Sequence, residues 1–374
     1  MAQSTLYIHI GTPKTGTTAL QGFLAKNRKT LQEHGAVFPD FGLVYKGVAK
    51  NRNAHFLVAT KDPFRAKEMG VCMKILKQQA ALYPKILISD ESIWTFYGHP
   101  DVETAPFWKK LKEMLDGMDL DLKVIVYLRR QDQYAFSYYA QKIKEAEEIR
   151  CFRDYMLVDG PARARLDYEK ELGLIASAIG KENLIVRKYD RDGFGGSRGT
   201  IQSDFLEAVG LEYTPDLLEG NPDKNVTFHG QVLEAKRFYN MMEHPDLTRH
   251  EIVAAFHGAE NRLKKNGRLL EGVYFTRQER REFMSRYAKG NRAVAEEYLG
   301  TVILFDLMDL VGEDEQSSFT TEQITEVFSC MVDHLMVEEK ELRYEAWKRH
   351  PVKRVRARME LIRDHFRRDH RGKH

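Results

Sequence analysis

The chain has 374 residues, of which 43% are hydrophobic and 30% are charged, and its formal net charge is +3. This composition is that of a folded globular protein and excludes a largely disordered chain. The charge is unevenly placed, because residues 348–374 carry 11 Lys or Arg against three acidic residues, and the rest of the chain sums to −5. No nucleic-acid-binding role is therefore expected, although the basic tail suits an anionic surface.

The apolar runs and the cysteines bear on the cellular location of the protein. No apolar run approaches the roughly 20 residues that span a bilayer, so neither a signal peptide nor a membrane anchor is expected. The three cysteines, Cys72, Cys151 and Cys330, are widely spaced and suggest neither a disulfide framework nor a zinc site. We therefore expect a cytoplasmic protein without a metal site.

The first predicted strand, residues 6–10, ends at a glycine and is followed by a predicted helix over residues 17–34. Further buried strands are predicted at residues 85–89, 122–128 and 183–187, and the stretches between them are long enough for crossover helices. This alternation predicts an α/β fold with a central, mainly parallel sheet flanked by helices. Ligands of such sheets bind at the carboxyl ends of the strands, so the residues that follow the first three strands should share a crevice.

The chain from residue 231 onward has an almost entirely helical pattern. We predict one domain over residues 1–310 and a helical C-terminal extension over residues 311–374. Within the extension, apolar residues recur at helical spacing among many basic ones: Val352, Val355, Met359, Ile362 and Phe366. This predicts a basic amphipathic helix. Its apolar stripe is expected to pack on the protein itself, with a second subunit or an anionic membrane as alternatives.

A glycine-bearing loop joins the first strand to the first helix and reads Gly-Thr-Pro-Lys-Thr-Gly-Thr-Thr over residues 11–18. Such a loop presents backbone N–H groups and the positive end of a helix dipole to an anion. Glycines let the backbone curl, a proline stiffens it, and lysine and threonine side chains add a charge and hydroxyl donors: Gly11, Gly16, Pro13, Lys14, Thr15, Thr17 and Thr18. The loop is predicted to bind phosphate or sulfate.

The loop departs from the pattern of ATPases and kinases. That pattern places a lysine directly after the second glycine, whereas Thr17 follows Gly16 here and Lys14 precedes it. Those enzymes also need a carboxylate for Mg²⁺, but the strand at residues 122–128 is followed by Arg129 and Arg130. A divergent P-loop kinase or NTPase is thus the alternative enzyme. The two arginines after the strand at residues 122–128 instead favour the binding of an anion.

Two motifs resemble the sulfotransferases that use 3′-phosphoadenosine 5′-phosphosulfate. Residues 13–18 match the family's 5′-phosphosulfate loop, which often reads Pro-Lys-x-Gly-Thr-Thr. The family also has a strand that ends in an arginine, with a serine eight residues later, and Arg129 and Ser137 have that spacing, which favours Arg129 over Arg130. The resemblance, closest to bacterial carbohydrate and heparan-type members, implies a P-loop-type three-layer fold and a 3′-phosphate held by Arg129 and Ser137. A guanidinium and a hydroxyl suit that anion.

The resemblance also implies a reaction. A sulfonyl group would move from the nucleotide, leaving 3′,5′-bisphosphoadenosine, to a hydroxyl or amine of a carbohydrate or glycolipid. Lys14 would neutralise the leaving oxygen, and no metal is required. Two residues are candidates for the base: His55, in a segment that resembles the base-bearing region of heparan-type members, and Glu91, which follows a predicted strand. The non-enzymatic alternative is a nucleotide-binding scaffold, and a homo-oligomer is compatible with either.

Overall fold

A computed structural model of the protein describes residues 3–96, 103–145, 148–158, 165–190, 193–219, 227–242 and 248–348. Its sheet has five parallel strands in the order β2-β3-β1-β4-β5. The strands are β1 Ser4–His9, β2 Ala36–Val37, β3 Lys85–Ser89, β4 Leu120–Leu128 and β5 Leu184–Lys188.

Helices fill most of the other described segments. Those that precede β5 are α1 Thr17–Lys26, α2 Arg28–Glu33, α3 Lys67–Ala80, α4 Ser92–Phe96, α5 Thr104–Asp116, α6 Gln131–Lys144, α7 Phe152–Val158 and α8 Tyr168–Ile179. Those that follow β5 are α9 Ile201–Ala208, α10 Gly230–Asn240, α11 Arg249–Lys265, α12 Arg277–Ser285, α13 Ala288–Val294 and α14 Thr321–Lys348. In the described ranges, no helix is long and apolar enough to cross a membrane.

Helices cover both faces of the sheet. Because successive side chains of a strand point to opposite faces, Leu6 and Ile8 of β1 face one layer and Tyr7 faces the other. The first layer packs α3, α5 and α8 against the sheet, and the second packs α1 and α9. Strands buried on both sides need continuous apolar runs, which residues 124–128 supply. The α/β fold with a central parallel sheet flanked by helices is therefore confirmed.

The described chain forms two compact units. The first comprises the described residues within 1–142, 150–227 and 273–316 and contains the sheet; the second comprises the described residues within 143–149, 228–272 and 317–374. In the second unit, Phe256 packs among Phe228, Tyr239 and Phe328, with ring centroids 5.6–6.3 Å away. The division at residues 310 and 311 stays a prediction, and the predicted basic amphipathic helix over residues 352–366 lies outside the described residues.

The predicted helix over residues 17–34 is two helices, α1 and α2, which meet at Asn27. The buried Asn27 amide donates to the carbonyl oxygens of Phe23 at 2.9 Å and Leu218 at 2.9 Å. A short polar side chain that bonds nearby backbone competes with helix continuation, which explains the break. The short strand β2 was not predicted, because two residues carry no readable period.

Leu111 tests the layer that α5 forms, because its side chain is fully buried against the sheet. We expect Leu111→Ala to lower the free energy of unfolding by about 2–5 kcal/mol through lost burial and a cavity. The matched control is Leu82→Ala, at a side chain that is 70% exposed, for which about 0.5 kcal/mol or less is expected. Urea unfolding compares the two, and equal losses would contradict the packing described here.

Candidate active site

The loop that follows β1 is fixed to the neighbouring strand β4. Thr12 donates twice to the carbonyl oxygen of Tyr127, from its amide at 3.2 Å and its hydroxyl at 2.9 Å. The Thr15 hydroxyl then closes the turn on the carbonyl oxygen of Thr12 at 2.6 Å. Lys14 and Gly16 both have φ of 70°, in the left-handed region. A non-glycine residue rarely adopts this backbone outside functional turns, so Lys14 is held there by its surroundings.

The loop turns its amides toward a potential anion. Within the described part of the chain, the backbone N–H groups of residues 15–18 donate to no protein acceptor. Gly16 precedes the first residue of α1, and no side chain caps that helix. The positive end of the helix dipole adds to these N–H groups. Such an arrangement of amides has the chemistry that suits a phosphate or sulfate.

The two arginines after β4 have different surroundings. Arg129 donates from Nη1 to the carbonyl oxygen of Lys14 at 2.9 Å, and its guanidinium lies 5.8 Å from the ring centre of Tyr189. Arg130 is buried and bonds Asp132 at 2.8 Å and Asp309 at 2.6 Å. Two carboxylates thus neutralise Arg130, whereas Arg129 lies at the loop.

Lys14 reaches the helix that carries Ser137. Its Nζ lies 3.3 Å from Oε1 of Gln141 on α6. Gln141 comes four residues after the buried Ser137, and residues four apart share one face of a helix. The ammonium group therefore lies over the same face of α6 as the Ser137 hydroxyl.

A second polar group lies at the carboxyl end of β3, the strand that pairs with β1 on its other side. The carboxylate of Asp90 is fully buried. It accepts hydrogen bonds from His55 Nδ1 at 2.8 Å, from Arg52 Nη2 at 2.6 Å and from the amide of Ser92 at 2.7 Å. Three donors on one buried carboxylate fix its position and that of the His55 ring.

Glu91 belongs to the same network but has other partners. Its Oε2 accepts from Nε2 of Gln21 at 2.9 Å, and its Oε1 lies 3.7 Å from Nε of Arg52. Burial raises the pKa of Glu91, and Asp90 raises it further, while Arg52 opposes the shift. Gln21 comes one helical turn after Thr17, so α1 links the phosphate loop to this network.

His9 lies beneath the loop. Its Nδ1 lies 2.9 Å from Oγ of Ser89, and a side chain at Gly11 would come within 3.0 Å of its Nε2. Gly11, whose φ is 25°, is thus required by both space and backbone. Burial lowers the pKa of His9 to about 3, against the opposing effect of Asp90. His9 is a neutral core residue.

The structure thus brings residues 13–18 together with Arg129, and it places both predicted base candidates, His55 and Glu91, at the end of β3. Sequence reasoning missed the residues that hold these groups in place: Arg52, Asp90, Gln21 and Gln141. Asp90 had a signal, since it directly follows a buried strand, but the glutamines lie in ordinary helical sequence. Among the described residues, no group of three or more His, Cys, Asp or Glu is placed to hold a metal ion.

Comparisons with known proteins give distant similarities. No protein-family model matches the chain. An uncharacterized protein of Archaeoglobus fulgidus is 28% identical over 195 residues, which are 50% of this chain and 48% of that protein, so the match spans about half of each. A crystal structure of a sulfotransferase from Alicyclobacillus acidocaldarius matches 72% of this chain and 98% of its own, with 17% identity and a TM-score of 0.37. The fold assignment rests on the sheet described above.

His9 makes stability depend on pH. Its pKa of about 3 in the folded protein lies below the ordinary histidine pKa of 6.5, so the unfolded chain binds one more proton between these values. Stability should therefore fall as pH decreases through this window, with a contribution from this group of about 1.4 kcal/mol per pH unit. Urea unfolding between pH 4 and pH 6 gives the free energy of unfolding as a function of pH. Its slope should differ between wild type and His9→Asn by the equivalent of about one bound proton. Parallel slopes would show that His9 titrates normally.

Proposed function

We propose that the protein is a sulfotransferase that moves a sulfonyl group from 3′-phosphoadenosine 5′-phosphosulfate to a hydroxyl or amine of a carbohydrate or glycolipid. The observation that carries this proposal is the loop of residues 11–18, whose amides at residues 15–18 have no protein acceptor in the described chain. Arg129 is bound to the same loop through the carbonyl oxygen of Lys14. A loop and a guanidinium that suit anions therefore adjoin, which supports a nucleotide with a 5′-phosphosulfate and a 3′-phosphate.

The residues present fit such a nucleotide. The loop amides and the hydroxyls of Thr17 and Thr18 suit the 5′-phosphosulfate, with Pro13 and Thr15 shaping the turn. Arg129 and Ser137 would hold the 3′-phosphate, because a guanidinium and a hydroxyl form charge-assisted hydrogen bonds to it. Arg130 cannot take this role while it is held by Asp132 and Asp309.

The chain's own residues would promote the transfer by position and charge. The bound nucleotide supplies an activated sulfonyl group. Lys14, which the loop and Gln141 place beside this site, would stabilise the negative charge that develops on the departing phosphate oxygen. A proton acceptor for the attacking hydroxyl is offered by His55 or Glu91 at the neighbouring strand end.

The acceptor class rests on the resemblance of the loop and of the segment around His55 to carbohydrate and heparan-type sulfotransferases. We further propose a cytoplasmic location, no nucleic-acid partner, and contact of the basic tail with an anionic membrane or a second copy of the chain.

A kinase or other NTPase is the second candidate, because Asp90 stands at the end of the strand beside β1, where a carboxylate could meet Mg²⁺. Its two oxygens, however, accept hydrogen bonds from His55, Arg52 and the amide of Ser92. These donors are the wrong partners for a cation ligand, and the sulfotransferase is better supported.

Nucleotide binding tests the donor site. We expect isothermal titration calorimetry to detect binding of 3′,5′-bisphosphoadenosine, and Arg129→Ala to weaken it about 10- to 100-fold through loss of a charge-assisted contact. Arg65→Ala is the matched control, at a side chain that is 88% exposed, and should bind normally. Binding of ATP with Mg²⁺ in preference to the bisphosphate would support the kinase and contradict the proposal.

Lys14 tests the chemistry. We expect Lys14→Ala to reduce sulfonyl transfer at least about 100-fold, because charge on the leaving oxygen loses its neutralising partner. The assay follows donor labelled in its sulfonyl group, offered alkyl glycosides, amino sugars and glycolipids, and scores both transfer and release of the bisphosphate. Equal turnover by the variant and wild type would remove Lys14 from the mechanism, and binding without any turnover by wild type would favour the scaffold.

A further inference from the structure

We propose that Asp90 is the positioning residue that makes His55 the general base of the transfer, and that Glu91 is a structural carboxylate. This inference rests on the proposed function and narrows it. It selects one of the two candidate bases and assigns a role to a residue whose sequence position alone gave it none.

Asp90 fixes the tautomer of His55. A carboxylate oxygen can only accept, so His55 Nδ1, 2.8 Å from Asp90 Oδ2, must carry the proton. The other ring nitrogen, Nε2, then holds a lone pair. In the described residues Nε2 has no hydrogen-bond partner, and the side chain is 16% exposed. His55 thus keeps a partly exposed side chain with one nitrogen able to accept a proton, while its other nitrogen is anchored.

The segment that carries His55 is itself anchored to β3. Asn53 accepts from the amide of Ser89 at 2.8 Å and donates to the carbonyl oxygen of Pro39 at 3.0 Å. The ring of Tyr45 packs edge-on against the imidazole, with centroids 4.8 Å apart. Backbone, ring plane and Nδ1 are therefore all constrained, as a catalytic base requires.

Arg52 completes the arrangement by balancing charge. It bonds Asp90 Oδ1 at 2.6 Å and also contacts the Ser92 hydroxyl. The buried Asp90 carboxylate thus contacts both the guanidinium and the imidazole. When His55 accepts a proton, this carboxylate stabilises the imidazolium formed in the reaction.

Glu91 has structural partners. Its raised pKa would suit a base, but Oε2 accepts from Gln21 at 2.9 Å and Oε1 faces Arg52 at 3.7 Å. Gln21 also bonds Ser89, so Glu91 belongs to the contacts between α1 and the end of β3. Its contacts hold α1 against the end of β3, which is a structural task.

In the transfer, one bond to sulfur forms as another breaks. The acceptor oxygen forms a bond to sulfur while the bond from sulfur to the bridging phosphate oxygen breaks, and that electron pair leaves with the bisphosphate nucleotide. The acceptor hydroxyl proton passes to Nε2 of His55 and is later released to water. No oxidant, reductant or metal enters the balance.

The tautomer of His55 is measurable without any acceptor. Long-range ¹H–¹⁵N spectra of histidine-labelled wild-type protein should show His55 protonated at Nδ1 in its neutral form, with His55→Gln identifying the signals. A wild-type spectrum with the proton at Nε2 would overturn the inference. This measurement needs no variant of Asp90 to fold.

Asp90→Asn and Glu91→Gln form a matched pair, since each replaces one carboxylate beside Arg52 by its amide. We expect Asp90→Asn to lose the Nδ1–H tautomer and to lower kcat by about 10²- to 10⁴-fold. Affinity for 3′,5′-bisphosphoadenosine should change less than about threefold, because the loop sets it. Glu91→Gln should keep the tautomer and lose much less activity.

An equal loss of kcat in the two variants, with the tautomer intact in both, would show a merely structural role for Asp90 and overturn the inference. The proposed function fails by a different result. In that case wild type neither binds the bisphosphate nor turns over labelled donor, and the base role falls with it, whatever the tautomer of His55.

Discussion

The double hydrogen bond from Thr12 to the carbonyl oxygen of Tyr127 is the constraint on which the site depends. It ties the start of the loop to the end of β4, so the chain must turn back through left-handed residues before it can begin α1. The amides of the turn then face outward rather than pairing with each other. Because β1 lies between β3 and β4, the loop also lies between the two strand ends that supply Asp90 and Arg129.

The arginines on the two sides of this loop have different carboxylate partners. On the β4 side, one of two adjacent arginines, Arg130, is engaged by the buried Asp132 and by the more exposed Asp309. Removing one member of such a pair leaves an uncompensated buried charge and typically costs about 3–5 kcal/mol. The pairing therefore holds Arg130 away from the loop firmly, and Arg129 can serve an anion. On the β3 side, Arg52 is held by carboxylates and cannot compete for the same anion.

Sequence patterns predicted the features that local chemistry determines. The apolar runs at residues 85–89 and 122–128 predicted two central strands. The glycine-bearing sequence of residues 11–18 predicted a loop between a strand and a helix. The break at Asn27 was missed because its side chain bonds not only nearby backbone but also Leu218, 191 residues away, and that second contact is not visible in the sequence. Asp90 was visible at a strand end, but only the folded segment around His55 shows which carboxylate meets the imidazole. Contacts between residues far apart in the chain determine the break at Asn27 and the partner of His55, and a single sequence does not show such contacts.

One helix sets the spacing between the anion site and the proton-accepting cluster. The first turn of α1 offers its amides at Thr17, and the next turn offers Gln21, which bonds both Ser89 and Glu91. At 1.5 Å per residue, these positions are about 6 Å apart along the helix axis. The helix therefore holds the loop amides and the Gln21 contacts at the end of β3 at a fixed separation, which two flexible loops could not do.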